Sequence, residues 1–314
     1  MKKIIAVTMA VLTAMIVLCA CKPVSDKDSE GKIKIVTTIF PPYDFAKQIG
    51  GDNVSVSMLL KPGMESHNFD PTPQDIIKIQ DADIFIYVGG ESDEWVKDIL
   101  ESDDKKPEKV IALMECVDTV QEDTIVGMTA GKEEDSDEIE YDEHVWTSPV
   151  NAITISKKIS SVLSEIDPEN KSTYEKNVNE YSKELSVLDN DFKNAVINAK
   201  NKTIVFADRF PFRYFADEYG LSYFAAFPGC STDTEPSAST ISFLINKVEE
   251  KSIPVVFTIE FSNGKIADTI CEATGAKRLE MHSCHNLSAE MMDKGVTYVS
   301  LMRNNLKNLK EALN

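Results

Sequence analysis

The four histidines of the chain fall in three short segments, and their spacing raises the question of a metal site. His67 lies in HNFDPTPQD, His144 lies in DEHVWTSP, and His282 and His285 lie in LEMHSCHNLS on either side of Cys284. Neutral imidazole is a common ligand of zinc and other transition metals. A lone histidine in a loop is more often a solvated or hydrogen-bonded side chain, so histidine content alone does not decide the matter.

Two of the histidines lie between predicted secondary-structure elements. His67 follows the predicted strand 54–60, and His144 precedes a helix with Ser148 as its cap and Pro149 in its first turn. In open α/β sheets, ligands usually bind in loops at the ends of the strands. The placement of both histidines therefore favours a binding site at such an edge.

Predicted strands and helices alternate along the chain, which is typical of parallel sheets covered by helices. The predicted strands are 32–39, 54–60, 83–90, 202–207, 221–227 and 253–260. The predicted helices are 41–51, 72–82, 93–102, 148–166, 167–200, 209–220, 237–251, 264–276 and 297–314. The chain is long enough for two domains with separate cores.

One long amphipathic helix is predicted in the middle of the chain. It begins at Asp167 and Pro168, and its apolar residues recur every three or four positions from Tyr174 to Val196. A helix over 167–200 would be about 45–50 Å long, which is enough to bridge two lobes. We therefore predict an α/β fold of two lobes, each a mainly parallel sheet flanked by helices, joined by one long rigid helix with limited hinge motion.

The first 21 residues have the pattern of a bacterial lipoprotein signal. A basic start, MKK, precedes an apolar run that ends in the lipobox sequence LCAC. Cys21 is therefore expected to be the mature N-terminus, with lipid on its sulfur and the membrane as a partner. The alternative is an ordinary cleaved signal. Residues 22–32 are polar and indicate a tether, and no later apolar run is long enough to span a bilayer.

These patterns divide the chain into five predicted parts. They are a signal peptide (1–21), a tether (22–32), an N-terminal α/β lobe (33–166), a linking helix (167–200) and a C-terminal α/β lobe (201–314). The net charge of −19 argues against a nucleic-acid partner. Residues 131–143, which are mostly acidic, are expected to form a solvated loop.

Four further cysteines follow the signal segment, and an exported protein can pair them. Cys116, Cys230, Cys271 and Cys284 allow three pairings, between which the sequence does not choose. Cys284 is expected to be a buried thiol or the disulfide partner of Cys230 or Cys271. The chain has no CxxC motif, which disfavours a zinc site made of four thiolates.

Several motifs together resemble one known family. HNFDPTPQD and DEHVWTSP are accompanied by RYFADEYGL, EPSASTI, VVFTIE, TGAK and GVTYVSLMRNNLKNLKEAL. They are similar to the metal-binding lipoproteins of ABC importers for zinc and manganese, the ZnuA/TroA-like (cluster A-I) family, from about residue 33 to the C-terminus. The resemblance implies two α/β lobes, a linking helix, a metal bound between the lobes, and delivery of that metal to a membrane permease.

The family pattern also implies a set of metal ligands. Relatives have one histidine in each of the two motifs above, then a third histidine, then a carboxylate near the C-terminus. His67 and His144 carry over directly, whereas Ala207 stands at the position assigned to the third histidine. His285 stands where relatives have an aspartate. The resemblance therefore implies His67, His144 and His285 as ligands, with two departures that compensate each other.

The remaining coordination position is open between a water and three carboxylates. The candidates for a fourth ligand, or for a group that orients a ligand, are Asp208, Glu260 and Glu65, with water or Asp208 preferred. Three imidazoles favour Zn²⁺, whereas Mn²⁺ prefers more oxygen ligands. If residues 282–285 are extended, His282 and Cys284 point away from His285, and neither is expected to bind the metal.

The leading hypothesis is an extracytoplasmic zinc-binding lipoprotein that is a monomer, has no catalytic residues and is not an enzyme. The same role with Mn²⁺ or Fe²⁺ is the close alternative. A secreted zinc hydrolase is an alternative of another class, because three histidines and an open position also describe a catalytic zinc. The absence of an HExxH motif weighs against it. An adhesin built on this fold is a further alternative.

Overall fold

The computed structural model describes residues 31–65, 69–102, 105–129, 140–231 and 235–314. His67, Cys21, tether residues 22–30 and residues 131–139 of the acidic loop lie outside the described residues. The residues from Ile33 to Asn314 form one compact unit.

Two four-stranded parallel sheets form the framework of this unit. The first contains β1 (Ile33–Thr37), β2 (Val54–Met58), β3 (Ile84–Tyr87) and β4 (Lys109–Ala112), in the order β2-β1-β3-β4. The second contains β5 (Thr203–Arg209), β6 (Ser222–Phe227), β7 (Val255–Thr258) and β8 (Lys277–Glu280), in the order β6-β5-β7-β8. All the strand pairs in both sheets are parallel. The two halves of the chain therefore repeat one topology.

Helices connect the strands and cover the sheets. Those of the first half are α1 (Phe40–Gly50), α2 (Pro73–Gln80), α3 (Trp95–Glu101) and α4 (Pro149–Ile166). They are followed by α5 (Lys171–Ile197), α6 (Arg213–Tyr219), α7 (Ala238–Glu250), α8 (Lys265–Thr274), α9 (Ala289–Asp293) and α10 (Tyr298–Ala312). Crossover helices of this kind bury both faces of a parallel sheet, which explains the apolar character of most of the strands.

Helix starts follow the chemistry of their first residues. The Ser148 side chain accepts a hydrogen bond from the backbone N–H of Asn151 and caps α4, with Pro149 in the first turn. The Thr72 side chain caps α2 in the same way. Gly220 ends α6 with φ at 64°, a left-handed conformation that glycine adopts without strain. These caps confirm the helix boundaries expected at these positions.

The long helix α5 joins the two lobes. It has 27 residues and is about 40 Å long, and a short 3-10 turn at Pro168–Asn170 precedes it. All seven members of the predicted apolar stripe are buried: Tyr174, Val178, Tyr181, Leu185, Leu188, Phe192 and Val196. Helices of both halves, among them α1, α4, α6 and α10, pack on α5. The two-lobed α/β architecture is therefore confirmed, although the exact limits of the lobes stay predictions.

Three short elements were not expected from the sequence. Strands β4 and β8 have four residues each, with the sequences KVIA and KRLE, and α9 has five residues. Both strands lie at sheet edges, where one side faces no neighbouring strand. Charged residues remove the apolar run from β8, whereas β4 has only three apolar residues after its lysine. In the described part of the chain, no helix combines the length and apolarity needed to cross a membrane.

The buried stripe of α5 makes a testable contribution to stability. Leu185 is fully buried on this helix, whereas Val187, two residues later, is 57% exposed. We expect Leu185→Ala to lower the free energy of unfolding by about 2–5 kcal/mol, because it leaves a cavity between the lobes. Val187→Ala is the matched control and should change it by about 0.5 kcal/mol or less. Urea denaturation measures both, and equal effects would contradict a joining role for the stripe.

Candidate metal centre

A small cavity lies where the carboxyl ends of strands from both sheets meet. Its lining residues include Glu65 after β2, Arg209 at the end of β5, Glu260 after β7 and His285 after β8, together with His144. The cavity volume is about 10 Å³, which is room for about one particle the size of a water molecule. The cavity therefore suits a single ion better than an organic ligand.

The rings of His144 and His285 are close neighbours in this cavity. Their centroids are 4.8 Å apart, and the ring planes are nearly perpendicular at 83°. Two imidazoles bound through Nε2 to one tetrahedral zinc at 2.0–2.1 Å would have centroids about 5 Å apart. The observed spacing is therefore suitable for a shared metal ion.

Asp142 holds the imidazole of His144 in a fixed orientation. Its Oδ1 accepts the backbone N–H of His144 at 2.8 Å and lies 3.0 Å from the ring Nδ1. Both side chains are buried. Because a carboxylate only accepts hydrogen bonds, Nδ1–H of His144 donates to it. Nε2 is then the nitrogen that can bind a metal, as in the carboxylate–histidine pairs of many metal sites. Tyr214 and Val120 hold Asp142 through its backbone carbonyl and N–H.

Gly229 leaves the space that this pair requires. A Cβ atom at Gly229 would lie 2.9 Å from the carbonyl oxygen of Phe210 and 3.1 Å from Oδ2 of Asp142. It would also lie 3.2 Å from Cε1 of His144. Because Cε1 lies between the two ring nitrogens, any larger residue at position 229 would move the imidazole.

The surroundings of His144 alter its affinity for protons. Burial alone would lower the pKa of His144, but the charge and hydrogen bond of Asp142, together with neighbouring carboxylates, raise it overall. The charges of Glu143 and Glu122 act in the same direction. A proton is therefore a stronger competitor for this imidazole than for a histidine in water.

The end of the acidic segment is part of this site. Residues 131–143 were expected to form a solvated loop, but Asp142 and Glu143 are only 1% and 4% exposed. Glu143 accepts the backbone N–H of Ser92 at 2.8 Å, and burial raises its pKa. The expectation is therefore wrong for these two residues, because each is buried and accepts a hydrogen bond from a specific partner.

A second carboxylate orients His285 through a serine. The Ser283 hydroxyl donates to Oε1 of Glu260 at 2.5 Å, and the Ser283 N–H donates to Oε2 at 2.7 Å. Since the single hydroxyl proton goes to Glu260, Ser283 accepts at Oγ from Nδ1–H of His285, at 3.3 Å. This arrangement makes Nε2 the nitrogen of His285 that could bind a metal, as Asp142 does for His144.

Trp146 links the two histidine segments. It lies two residues after His144, in the 3-10 turn Val145–Thr147, and its indole N–H donates to the carbonyl oxygen of Ser283 at 2.8 Å. Its ring also lies 4.8 Å from that of His285. The backbone N–H of Phe40, the first residue of α1, donates to the carbonyl of His285. Both lobes therefore fix the position of His285.

Residues 282–285 are not fully extended, so the condition on which His282 and Cys284 were placed away from His285 is not met. Cys284 has φ at 66°, a conformation that residues other than glycine rarely adopt. The backbone N–H of Cys284 donates to Nδ1 of His282 at 2.9 Å, and Asn305 binds the backbone of His282 on both sides. Neither His282 nor Cys284 lines the cavity.

All four cysteines of the described region are free thiols, and none forms a disulfide. Cys284 is buried in the main hydrophobic core, which confirms the buried-thiol interpretation over the disulfide alternative. Burial raises the pKa of Cys116, Cys230, Cys271 and Cys284. The thiols are therefore held protonated, unlike the thiolates that bind metals.

The residue that reaches the cavity from β5 is Arg209 and not Ala207. The pairing of β5 with β6 shifts between Phe206 and Arg209, where β5 has one extra residue. Such a bulge changes the direction of the side chains that follow it. Ala207 packs with Val205 in a hydrophobic cluster behind the sheet. A histidine at position 207 would therefore not reach the cavity, which corrects its assignment as the vacant ligand position.

The three candidate carboxylates occupy different places. Glu65 and Glu260 line the cavity with the histidines, whereas Asp208 lines an adjoining cavity and accepts the backbone N–H of Arg209. Burial raises the pKa of Asp208. Glu65 forms an ion pair with Arg209 at 2.7 Å. The preference for Asp208 over Glu260 and Glu65 is therefore not supported by its position.

The sequence contained a signal for only part of this arrangement. Asp142 stands two residues before His144, a spacing that allows a carboxylate to bind the ring of a following histidine. Ser283 stands two residues before His285 in a similar way. Nothing in the sequence marks Trp146 or Arg209 as part of the site, because both depend on contacts between distant segments.

The role of Asp142 can be tested on His144 directly. In Asp142→Asn, the pKa of His144 should fall, because the variant removes the charge that opposes the effect of burial. Nuclear magnetic resonance titration of the imidazole signals measures it, with His144→Gln to assign the resonance. Asp208→Asn is the matched control and should leave this pKa unchanged. An unchanged pKa in Asp142→Asn would show that another group sets it.

Comparison with known proteins shows which family this chain resembles. The family model described as zinc-uptake complex component A, periplasmic (ZnuA), matches residues 35–312. The zinc-binding lipoprotein AdcA of Streptococcus pneumoniae is 34% identical over 319 residues, which cover 99% of this chain and 61% of AdcA. The chain therefore spans less than two thirds of that relative.

This chain covers nearly the whole length of two further matches. The high-affinity zinc uptake system protein ZnuA of Bacillus subtilis is 33% identical over 316 residues, which are 96% of both chains. The crystal structure of the Zn(II)-bound ZnuA-like domain of S. pneumoniae AdcA is similar to this fold. It has a TM-score of 0.74 and 33% identity, over 90% of this chain and 99% of that domain. With a family match over most of its length, the chain belongs to the ZnuA family of metal-binding transport components.

Proposed function

We propose that this protein binds one Zn²⁺ between its two lobes and delivers it to the permease of an ABC importer. The observation that carries the proposal is the pair of imidazoles, His144 and His285, 4.8 Å apart in a cavity of ionic size. Separate carboxylates fix both rings so that Nε2 is the coordinating nitrogen of each. The zinc named in both relatives, and in the structure of the AdcA domain, supports the same metal here.

The third ligand in this proposal is His67. No group of three or more His, Cys, Asp or Glu side chains suited to a metal ion occurs within the described residues. Glu65, two positions before His67 in the chain, lines the cavity. Three imidazoles with a water would complete a tetrahedral site, which Zn²⁺ accepts more readily than Mn²⁺ does.

The carboxylates at the cavity favour transport over hydrolysis. A zinc hydrolase needs a general base close to the metal-bound water. Glu260 is bound at both oxygens by Ser283, and Glu65 is paired with Arg209. These partners support a binding protein that is not an enzyme.

The location of the protein is also part of the proposal. Relatives that are named lipoproteins support an extracytoplasmic protein, held at the membrane by lipid on Cys21. The net charge of −19 supports a monomer that stays soluble beside the membrane. Its partners would be the zinc ion, the lipid bilayer and the permease.

Zinc binding tests the proposal and the role of His285 together. The wild-type protein should bind one zinc ion per chain, and His285→Ala should weaken binding by at least about 100-fold, because it removes a ligand. Glu280→Ala, at an exposed position five residues earlier, is the matched control. Competition titration with a chromophoric chelator measures all three affinities. Equal zinc affinity in wild type and His285→Ala would contradict the assignment of His285 as a ligand.

Affinity for zinc should depend steeply on pH. A proton and the metal compete for Nε2, and the raised pKa of His144 extends this competition above the usual pH range of histidine. Zinc affinity should therefore fall by at least about tenfold between pH 7 and pH 5, and the fall should begin at the higher end of this interval. The same titration at several pH values measures it. An affinity that stays flat would rule out an imidazole-dominated site.

A further inference from the structure

We propose that Arg209 sets the metal selectivity of the site by keeping the Glu65 carboxylate away from the bound ion. This inference rests on the proposed function, because it concerns the same cavity. It assigns a role to a residue that binds no metal itself: a guanidinium stays protonated and has only donors.

Arg209 is held on both sides of its guanidinium group. Nη2 lies 2.7 Å from Oε2 of Glu65, and Nη1 donates to the carbonyl oxygen of Ser231 at 3.3 Å. The Arg209 side chain is only 16% exposed. Because it lines the cavity with His144 and His285, it places a fixed positive charge beside the metal position.

The backbone that carries Glu65 is fixed independently of Arg209. The amide of Asn286 donates to the carbonyl oxygens of Lys61 at 2.7 Å and Met64 at 2.9 Å. The N–H of Gly63 donates to the carbonyl of Leu287 at 2.9 Å. These contacts attach residues 61–64, directly before Glu65, to the segment directly after His285. Removal of the Arg209 side chain would therefore release the Glu65 carboxylate while the backbone directly before it stays beside the cavity.

A released carboxylate would change which metals the site prefers. Carboxylate oxygen is a preferred ligand of Mn²⁺, whereas Zn²⁺ is well satisfied by imidazole nitrogen and four ligands. The positive charge of Arg209 lowers the affinity of the site for every divalent cation to a similar degree. The ratio of zinc to manganese affinity therefore reports on Glu65, whereas absolute affinity also reports on the arginine charge.

A double-mutant cycle tests the inference. We expect Arg209→Gln to lower the ratio of zinc to manganese affinity by roughly tenfold, since the site gains an oxygen ligand. Glu65→Gln should leave the ratio close to that of wild type, and Arg209→Gln combined with Glu65→Gln should restore it. Competition titrations with each metal at pH 7 give the four ratios. The visible spectrum of Co²⁺-loaded protein gives an independent measure, because higher coordination weakens its absorption.

Each outcome bears on either the inference or the proposed function. An unchanged ratio in Arg209→Gln, with zinc still bound, would overturn the inference and leave the proposed function standing. A changed ratio that persists in the double variant would also overturn it, because the change would then not depend on the Glu65 carboxylate. Wild-type protein that binds no zinc would overturn the proposed function itself. Arg209→Met serves as the second variant if circular dichroism shows that Arg209→Gln does not fold.

Discussion

The buried contact between Asp142 and His144 is the interaction on which the site depends. An imidazole removed from water needs hydrogen-bond partners for its ring nitrogens. Oδ1 of Asp142 is the partner of Nδ1 of His144, at 3.0 Å. Much of the surrounding structure serves this contact: Tyr214 and Val120 hold Asp142, and Gly229 leaves room for both side chains. Nε2 of His144 is therefore presented to the cavity in one orientation, before any ion arrives.

The second imidazole is held by the same principle from the other side of the cavity. Glu260 fixes Ser283 with two hydrogen bonds, and Ser283 contacts Nδ1 of His285. Trp146 then joins the two histidine segments through the Ser283 carbonyl. Each ring thus has its own carboxylate support, and Trp146 links the two segments that carry the rings. Such preorganisation reduces the reorganisation needed for binding, and the continuous helix α5 limits how far the lobes can separate.

The sequence predicts the fold well and the site only in part, for identifiable reasons. The stripe from Tyr174 to Val196 and the caps at Ser148 and Gly220 are local signals, and the structure confirms them. Strand β4 is too short, and strand β8 too charged, to show a clear pattern. The error at Ala207 has a physical cause, because the bulge in β5 inserts one residue and brings Arg209 to the cavity. Contacts such as that of Trp146 with Ser283 join residues 137 positions apart, which no local pattern reveals.

The central claim is that one zinc ion binds Nε2 of both His144 and His285. A crystal structure of the zinc-loaded protein, with anomalous difference maps on either side of the zinc absorption edge, tests it most directly. We expect a single peak between the lobes, about 2.0–2.1 Å from Nε2 of both rings. A peak bound through Nδ1 of either histidine, or one located away from this cavity, would contradict it.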